Sequence, residues 1–254
     1  MLRKRQLVLH TKIDVLTREA VLQQLLEWGR NHERRYACMC NVHSVVTAAY
    51  DSEFQAILNR ADLATPDGAP IAWAVRHFTG QPQARVNGPD LMWKTLAAAA
   101  QDGIAVYFYG SSPATLAALG AVCQRDFPGL RIAGSAAPPF RPPVREEELA
   151  DIARINASGA GLVFIGLGCP KQERWMARNC ALVAAPLIGV GAAFDYHAGT
   201  LKRAPLWWQN HGLEWLYRLG SEPRRLAGRY LVGNSLFLLG LLRQMLLQRP
   251  VKRP

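Results

Sequence analysis

Five short stretches place polar or acidic side chains beside Gly, Pro or Ser, the residue types that let a backbone turn tightly and approach a ligand. Asn41 follows the apolar run 36–40, and Thr65-Pro66-Asp67-Gly68 closes the segment ADLATPDG. Gly110-Ser111-Ser112-Pro113 follows residues 104–109, and Gly166-Leu167-Gly168-Cys169-Pro170-Lys171-Gln172-Glu173 follows the run 162–164. The fifth, Gly191-Ala192-Ala193-Phe194-Asp195, ends on a carboxylate. A carboxylate fixed between Pro66 and Gly68 has the setting of a general base, although an Asx turn stabilising the bend would look the same. Asp195 carries the same ambiguity. The two turns that lead through a small residue into Pro are suited to cradling phosphate on the backbone N–H groups of a helix start. A plain strand-to-helix connection would also read this way. Neither turn is a GxGxxG fingerprint or a Walker A loop, so NAD and ATP chemistry lose ground and no cofactor is expected.

No DxD occurs in the chain. His43 and His197 have no carboxylate or second histidine at ligand spacing, so no metal site is expected. A diphosphate here would have to be neutralised by Arg, Lys and helix ends. Arg203, Arg218, Arg225 and Arg229 fall in a Trp- and Tyr-rich stretch. The spacing of the last three predicts, on a continuous helix, a single face bearing three guanidinium groups.

The elements that must position these groups follow from periodicity. Residues 17–30 have helical spacing with Thr17 as a cap, 44–59 read as a helix, and 61–68 as a short strand running into its turn. Strand-like runs at 36–40, 104–109, 131–135, 162–166 and 186–190 are separated by helical stretches near 113–125, 144–156 and 170–183. Such alternation implies βαβ units around a mostly parallel sheet with both faces covered, a Rossmann-like α/β core. In sheets of this kind ligands bind beyond the carboxyl ends of the strands, where the five stretches fall. The breaker-rich loop 138–143 brings no shift in composition. The shift comes near Leu206, so the chain divides into a core of residues 1–205 and a helical appendage, 206–254.

The 254 residues are half hydrophobic, and the formal charge is +11. Disorder, collagen-like repeats and a disulfide-stapled miniprotein are excluded by these figures. Cys38, Cys40, Cys123, Cys169 and Cys180 are odd in number and form no zinc knuckles, so they read as reduced cytosolic thiols. Residues 200–254 hold ten basic side chains against Glu214 and Glu222, a net +8 of the total. Basicity concentrated in this way implies an anionic partner: nucleic acid, lipid or a phosphorylated substrate. The uncharged, Leu-rich run 230–242 in the same segment weakens nucleic acid as that partner. Its 13 residues fall short of the ~18–20 that span a bilayer, which favours a helix lying on a membrane surface. The apolar stretch after the basic N-terminus stops at His10 and Lys12, too short for a signal peptide.

Taken in order, the blocks NVHSV, ATPDGAP, RVNGPD, YGSSP, GLGCPKQERW, GVGAAFDYHAGTLKRAP and HGLEWLYRLGSEPRRLAGRY resemble the WecG/TagA/CpsF family of bacterial glycosyltransferases, over about residues 10–231. Length and C-terminal pattern are similar to those of its GumM-type exopolysaccharide glucosyltransferases. The resemblance implies a metal-independent, inverting enzyme. It would move a sugar, here expected to be glucose, from a UDP-sugar onto a polyprenyl-diphosphate-linked saccharide at the cytoplasmic face of the inner membrane. It implies Asp67 as catalytic base, with Asn41 and Gln172 lining the nucleotide-sugar cleft and Arg85 in the matching RV-G block. It also implies an appendage whose Arg218, Arg225 and Arg229 close over the site and which binds membrane peripherally. Asn87, Gly110, Ser111, Gly168, Lys171 and Asp195, in the remaining blocks, complete the expected substrate-binding set. Some members carry Thr where this chain has Met39, a departure that bears on the choice of donor sugar.

Overall fold

The computed structural model describes residues 4–141 and 143–248, with only the backbone of Arg225 and Arg229. Arg249, Lys252 and Arg253 of the basic tail lie outside the described residues. An antiparallel hairpin comes first, β1 (Arg5–Val8) and β2 (Thr11–Asp14), which periodicity did not predict. Next is α1 (Arg18–Arg30), capped as expected by Thr17, whose side chain accepts from Ala20 N at 3.1 Å. It leads to β3 (Tyr36–Cys40), α2 (Val42–Tyr50) and α3 (Ser52–Arg60). The single helix expected over 44–59 is thus two. Asp51 leaves helical conformation at φ −135° and caps the second helix by accepting from Phe54 N at 2.9 Å.

The chain continues through β4 (Leu63–Pro66), α4 (Ala69–Thr79), α5 (Gly88–Asp102), β5 (Val106–Gly110), α6 (Pro113–Asp126) and β6 (Ile132–Ala136). Then come α7 (Arg145–Ala157), β7 (Leu162–Gly166), α8 (Lys171–Asn179), β8 (Leu187–Gly189) and α9 (Ala193–His197). Helix α8 ends four residues before the expected limit of 183. The last three helices are α10 (Leu206–Asn210), α11 (Glu214–Ser221) and α12 (Pro223–Leu247).

Six strands form one sheet in the order β4-β3-β8-β7-β5-β6, every pairing parallel. This is the mostly parallel, helix-flanked α/β sheet expected from the alternation. Successive residues of each strand sort to opposite faces, as the period of two requires. Cys38, Cys40, Tyr107, Tyr109, Val163 and Ile165 enter one core, and Ala37, Met39, Val106, Phe108, Leu162 and Phe164 the other. With both faces buried, functional side chains can collect only at the strand ends.

At one of those ends β5 and β7 nearly touch. Gly110 sits at φ +127°, and a Cβ there would lie 2.6 Å from the carbonyl carbon and oxygen of Gly166. Gly110→Ala is therefore expected to destabilise the fold by about 3 kcal/mol, through strain at a glycine-only conformation and a backbone clash. Urea unfolding measures this directly, and an unshifted midpoint would show that the two strands part without cost.

Helix α12 corrects two readings of the C-terminal segment. The chain leaves the helix at Glu222, φ −136° and ψ 59°, and Pro223 begins a new one, so Arg218 lies on α11 while Arg225 and Arg229 lie on α12. The continuous three-arginine face is not formed. Arg243 does not end the apolar stretch either, because a long basic side chain continues a helix readily. Leu226–Leu247 is therefore long and apolar enough, by length and composition alone, to cross a membrane, with mean hydropathy 1.4.

One side of α12 is nevertheless docked on the protein. Leu226, Phe237 and Leu241 are buried, and the helix packs along α2. The Gln244 amide accepts from Leu9 N at 2.7 Å and donates to Leu7 O at 2.9 Å, clasping the β1–β2 hairpin. Leu231, Val232, Leu238, Leu239, Leu242 and Leu246 on the other side are exposed.

Candidate active site

A cleft of about 1100 Å³ opens over the carboxyl edge of the sheet. Its walls are the segments that follow β3, β4, β5, β7 and β8, roofed by α11 and the first half of α12. Ten of the residues expected to bind or act on substrate line it: Asn41, Asp67, Arg85, Asn87, Ser111, Gly168, Lys171, Gln172, Asp195 and Arg218. Gly110 lies behind the wall and shapes the turn that presents Ser111. The side chains of Arg225 and Arg229 lie outside the described residues.

Asp67 is fixed by an extension of the sheet. Its N–H donates to Cys40 O at 2.9 Å, and Val86 N donates to Pro66 O at 2.9 Å, so the residue emerges between β3 and the segment before α5. Asn41 caps α2, accepting from Ser44 N at 3.1 Å through Oδ1, and its side chain also hydrogen-bonds the Asp67 carboxylate. The carboxylate forms neither a bond to the turn's backbone nor an ion pair with a guanidinium among the described residues. The Asx-turn account of this aspartate therefore does not apply. Burial, with Glu214 nearby, pushes its carboxyl up from 3.8 to about 6, against the opposing pull of Arg85, Asn41 and Arg218.

Other expected residues have their positions explained by the same turns. Ser111, at φ +57°, donates to Asp195 Oδ1 at 3.0 Å, and Thr115 Oγ1 donates to the same oxygen at 3.3 Å. Gln172 is buried, donates to Glu173 Oε1 at 2.8 Å and accepts from Gly191 N at 3.0 Å, which joins α8 to the end of β8. Asn87 caps α5 by accepting from Asp90 N at 2.9 Å. His197 packs against Trp93 with ring centroids 4.1 Å apart and bonds Pro89 O at 2.9 Å. Met39 lines the cleft floor, its sulfur accepting from Thr65 Oγ1 at 3.0 Å.

The roof contributes residues that sequence reasoning did not select. Glu214 lies 3.3 Å from Arg85 Nη1 and 3.7 Å from Arg203 Nε. Arg203 pairs with Asp90 Oδ1 at 2.6 Å, and Arg85 Nη2 also donates to Gln209 Oε1 at 3.4 Å. Burial alone would raise the Asp90 carboxyl, but its bonds from Arg203 and Asn87 hold it below the usual aspartate value. The Arg218 guanidinium stands 5.8 Å over the Tyr196 ring, and Arg218 Nε and Tyr196 OH are buried without a hydrogen-bond partner among the described residues. Phe140, largely exposed, stands at the rim. Arg203 and Arg218 are visible in the sequence as arginines of the aromatic stretch; of the others Glu214 left a signal, as the first acidic residue in an otherwise basic and aromatic block. Among the described residues no group of three His, Cys, Asp or Glu could hold a metal ion, and the cations that reach the cleft are Lys171 and the guanidinium groups.

A parallel sheet with a partly buried carboxylate and several cations converging on one cleft at its carboxyl edge suits an enzyme that binds an anionic ligand and moves a proton. The family model described as "Glycosyl transferase WecG/TagA/CpsF family" matches residues 6–251. The chain belongs to that family, and is thus a glycosyltransferase with a sugar donor and an acceptor.

Proposed function

We propose that this protein transfers a hexose from a UDP-sugar, with inversion, to a hydroxyl of a saccharide carried on polyprenyl diphosphate, in bacterial exopolysaccharide synthesis. The observation that carries this reading is the Asp67 carboxylate at the foot of the cleft, hydrogen-bonded by Asn41 yet without an ion pair among the described residues. Asp67 takes the proton of the acceptor hydroxyl as that oxygen bonds the anomeric carbon.

 The bond from that carbon to the departing diphosphate oxygen breaks on the opposite face, and UDP leaves. The growing negative charge on the diphosphate is met by Arg218, Lys171 and the N-terminal N–H groups of α6 and α8. Asn41, Arg85, Asn87, Ser111, Gly168, Gln172 and Asp195 shape the donor's place around that path.

The division of labour follows the change in composition at Leu206. Residues 1–205 form the catalytic core, and 206–254 form the appendage that roofs the cleft and rests on an anionic membrane surface. Docking of one side of α12 on α2 and the hairpin favours a helix lying at the cytoplasmic face over one that crosses the bilayer, since a spanning helix would have to leave those contacts. The donor is taken to be UDP-glucose. The apolar Met39 floor suits a sugar that needs no polar contact there.

Release of UDP, measured over a panel of UDP-sugars with a polyprenyl-diphosphate monosaccharide as acceptor, tests the whole reading. UDP-glucose is expected to give the highest kcat/KM. Preference for UDP-N-acetylmannosamine or its uronic acid would move the protein to another donor class, and no release with any donor would remove the transferase assignment proposed for this cleft.

A further inference from the structure

Three carboxylates, those of Asp67 and Glu214 in the cleft and of Asp90 outside its lining, lie close to the guanidinium groups of Arg85, Arg203 and Arg218. Their pairing is uneven. Arg203 is engaged by Asp90 at 2.6 Å, and Asn87 Oδ1 lies 3.4 Å from its Nη2. Arg85 is engaged by Glu214 at 3.3 Å and by the buried Gln209 at 3.4 Å, and Gln209 is itself held by donating to Ala204 O at 2.6 Å. Asp67 is left with the neutral amide of Asn41. A carboxylate paired with a guanidinium is a poor base, because proton uptake would break the pair. Arg85 is instead met by the carboxylate arriving from α11.

We propose that Glu214 is a positioning residue for the transfer reaction: by engaging Arg85 and Arg203 with its two oxygens, it keeps the Asp67 carboxylate out of an ion pair and free to take the acceptor's proton. This rests on the reading of Asp67 as base. It also gives α11 a catalytic consequence beyond covering the cleft, since the base reaches full strength only when the C-terminal helices are seated.

The charged and titratable groups that act on Asp67 come from every side of it. They are Cys40 at the end of β3, Arg85 before α5, and Glu214 and Arg218 on α11. His43, Lys171, Glu173, Asp195, Tyr196, Glu222 and Tyr230 line other parts of the cleft. Cys40 contributes no charge, because burial pushes its thiol well above the ordinary range. Glu214 is the member of this set whose removal frees an arginine next to Asp67.

The test follows the Asp67 carboxyl by ¹³C NMR in the ligand-free full chain, and the pH dependence of kcat/KM, in the wild type, Glu214→Gln and Glu214→Asp. In Glu214→Gln the NMR midpoint is expected to fall by about one pH unit, the scale of a new contact with an opposite charge. The acid limb of kcat/KM should fall with it, and turnover in the plateau should drop about tenfold or more. Glu214→Asp, which keeps the charge, should recover part of both. An unchanged NMR midpoint in a folded Glu214→Gln protein overturns the proposal. A midpoint that falls while the acid limb stays in place supports the pairing by Glu214 and overturns Asp67 as the base, so the two failures are distinguishable.

Discussion

Asp67→Asn is expected to lower turnover by about 10²- to 10⁴-fold, the usual contribution of a positioned general base, while UDP binds as before. The side chain's size and its bond with Asn41 can survive the change, so the loss isolates the proton-accepting function. Near-wild-type turnover would remove Asp67 from its proposed role. The pH profile gives the same assignment without a mutation. With the Asp67 carboxyl pushed up to about 6, chiefly by burial, kcat/KM should decline about tenfold per pH unit below that value.

Stability should respond in the opposite sense. Between 3.8 and about 6 the native Asp67 holds a proton that the unfolded chain has released, so stability falls as pH rises through this window. Above it a penalty of about 2–3 kcal/mol for burying the charge remains in full. Asp67→Asn removes that penalty. The variant should therefore melt at a higher temperature than the wild type at pH 7.5, and the gain should shrink toward pH 4. A variant that loses turnover and also loses stability at pH 7.5 would point to damage to the fold in place of the loss of a base.

Why so much of the cleft could be read from the sequence lies in the sheet. When every strand is parallel, all carboxyl ends converge on one edge, so Asn41, Asp67, Ser111, Gln172 and Asp195 meet there without any knowledge of strand order. The hairpin β1–β2 was harder to see. Its strands have four residues each, and Arg5, Gln6 and Lys12 interrupt any apolar alternation. Both helix breaks carried a local signal that a count of apolar spacing passes over: Asp51-Ser52-Glu53 is a helix start, and Pro223 cannot continue a helix from Glu222. The bond from Arg85 to Glu214 links residues 129 positions apart and depends on how α11 lands on the core. Charge patterning along the chain contains no trace of such a contact.

The same landing sets how α12 should meet a membrane. Leu239→Gln, Leu242→Gln and Leu246→Gln together alter side chains that are all exposed, while Phe237, Leu241 and Gln244 keep the helix on the core. A fully buried leucine contributes about 1.5–3 kcal/mol, so even partial immersion of the three side chains amounts to at least about 3 kcal/mol. At 1.4 kcal/mol per tenfold, the triple variant should bind vesicles of phosphatidylglycerol and phosphatidylethanolamine about 100-fold more weakly. The basic residues add a separate, salt-sensitive contribution of about 1 kcal/mol each near an anionic surface, so variant and wild type are compared at one ionic strength. Transfer to a water-soluble acceptor should persist, because none of the three side chains lines the cleft. Wild-type vesicle binding by the triple variant would rule out this face as the contact. Retention of the wild-type protein on vesicles through an alkaline carbonate wash would instead show that α12 leaves α2 and the hairpin and crosses the bilayer, which its length allows and its docked side opposes.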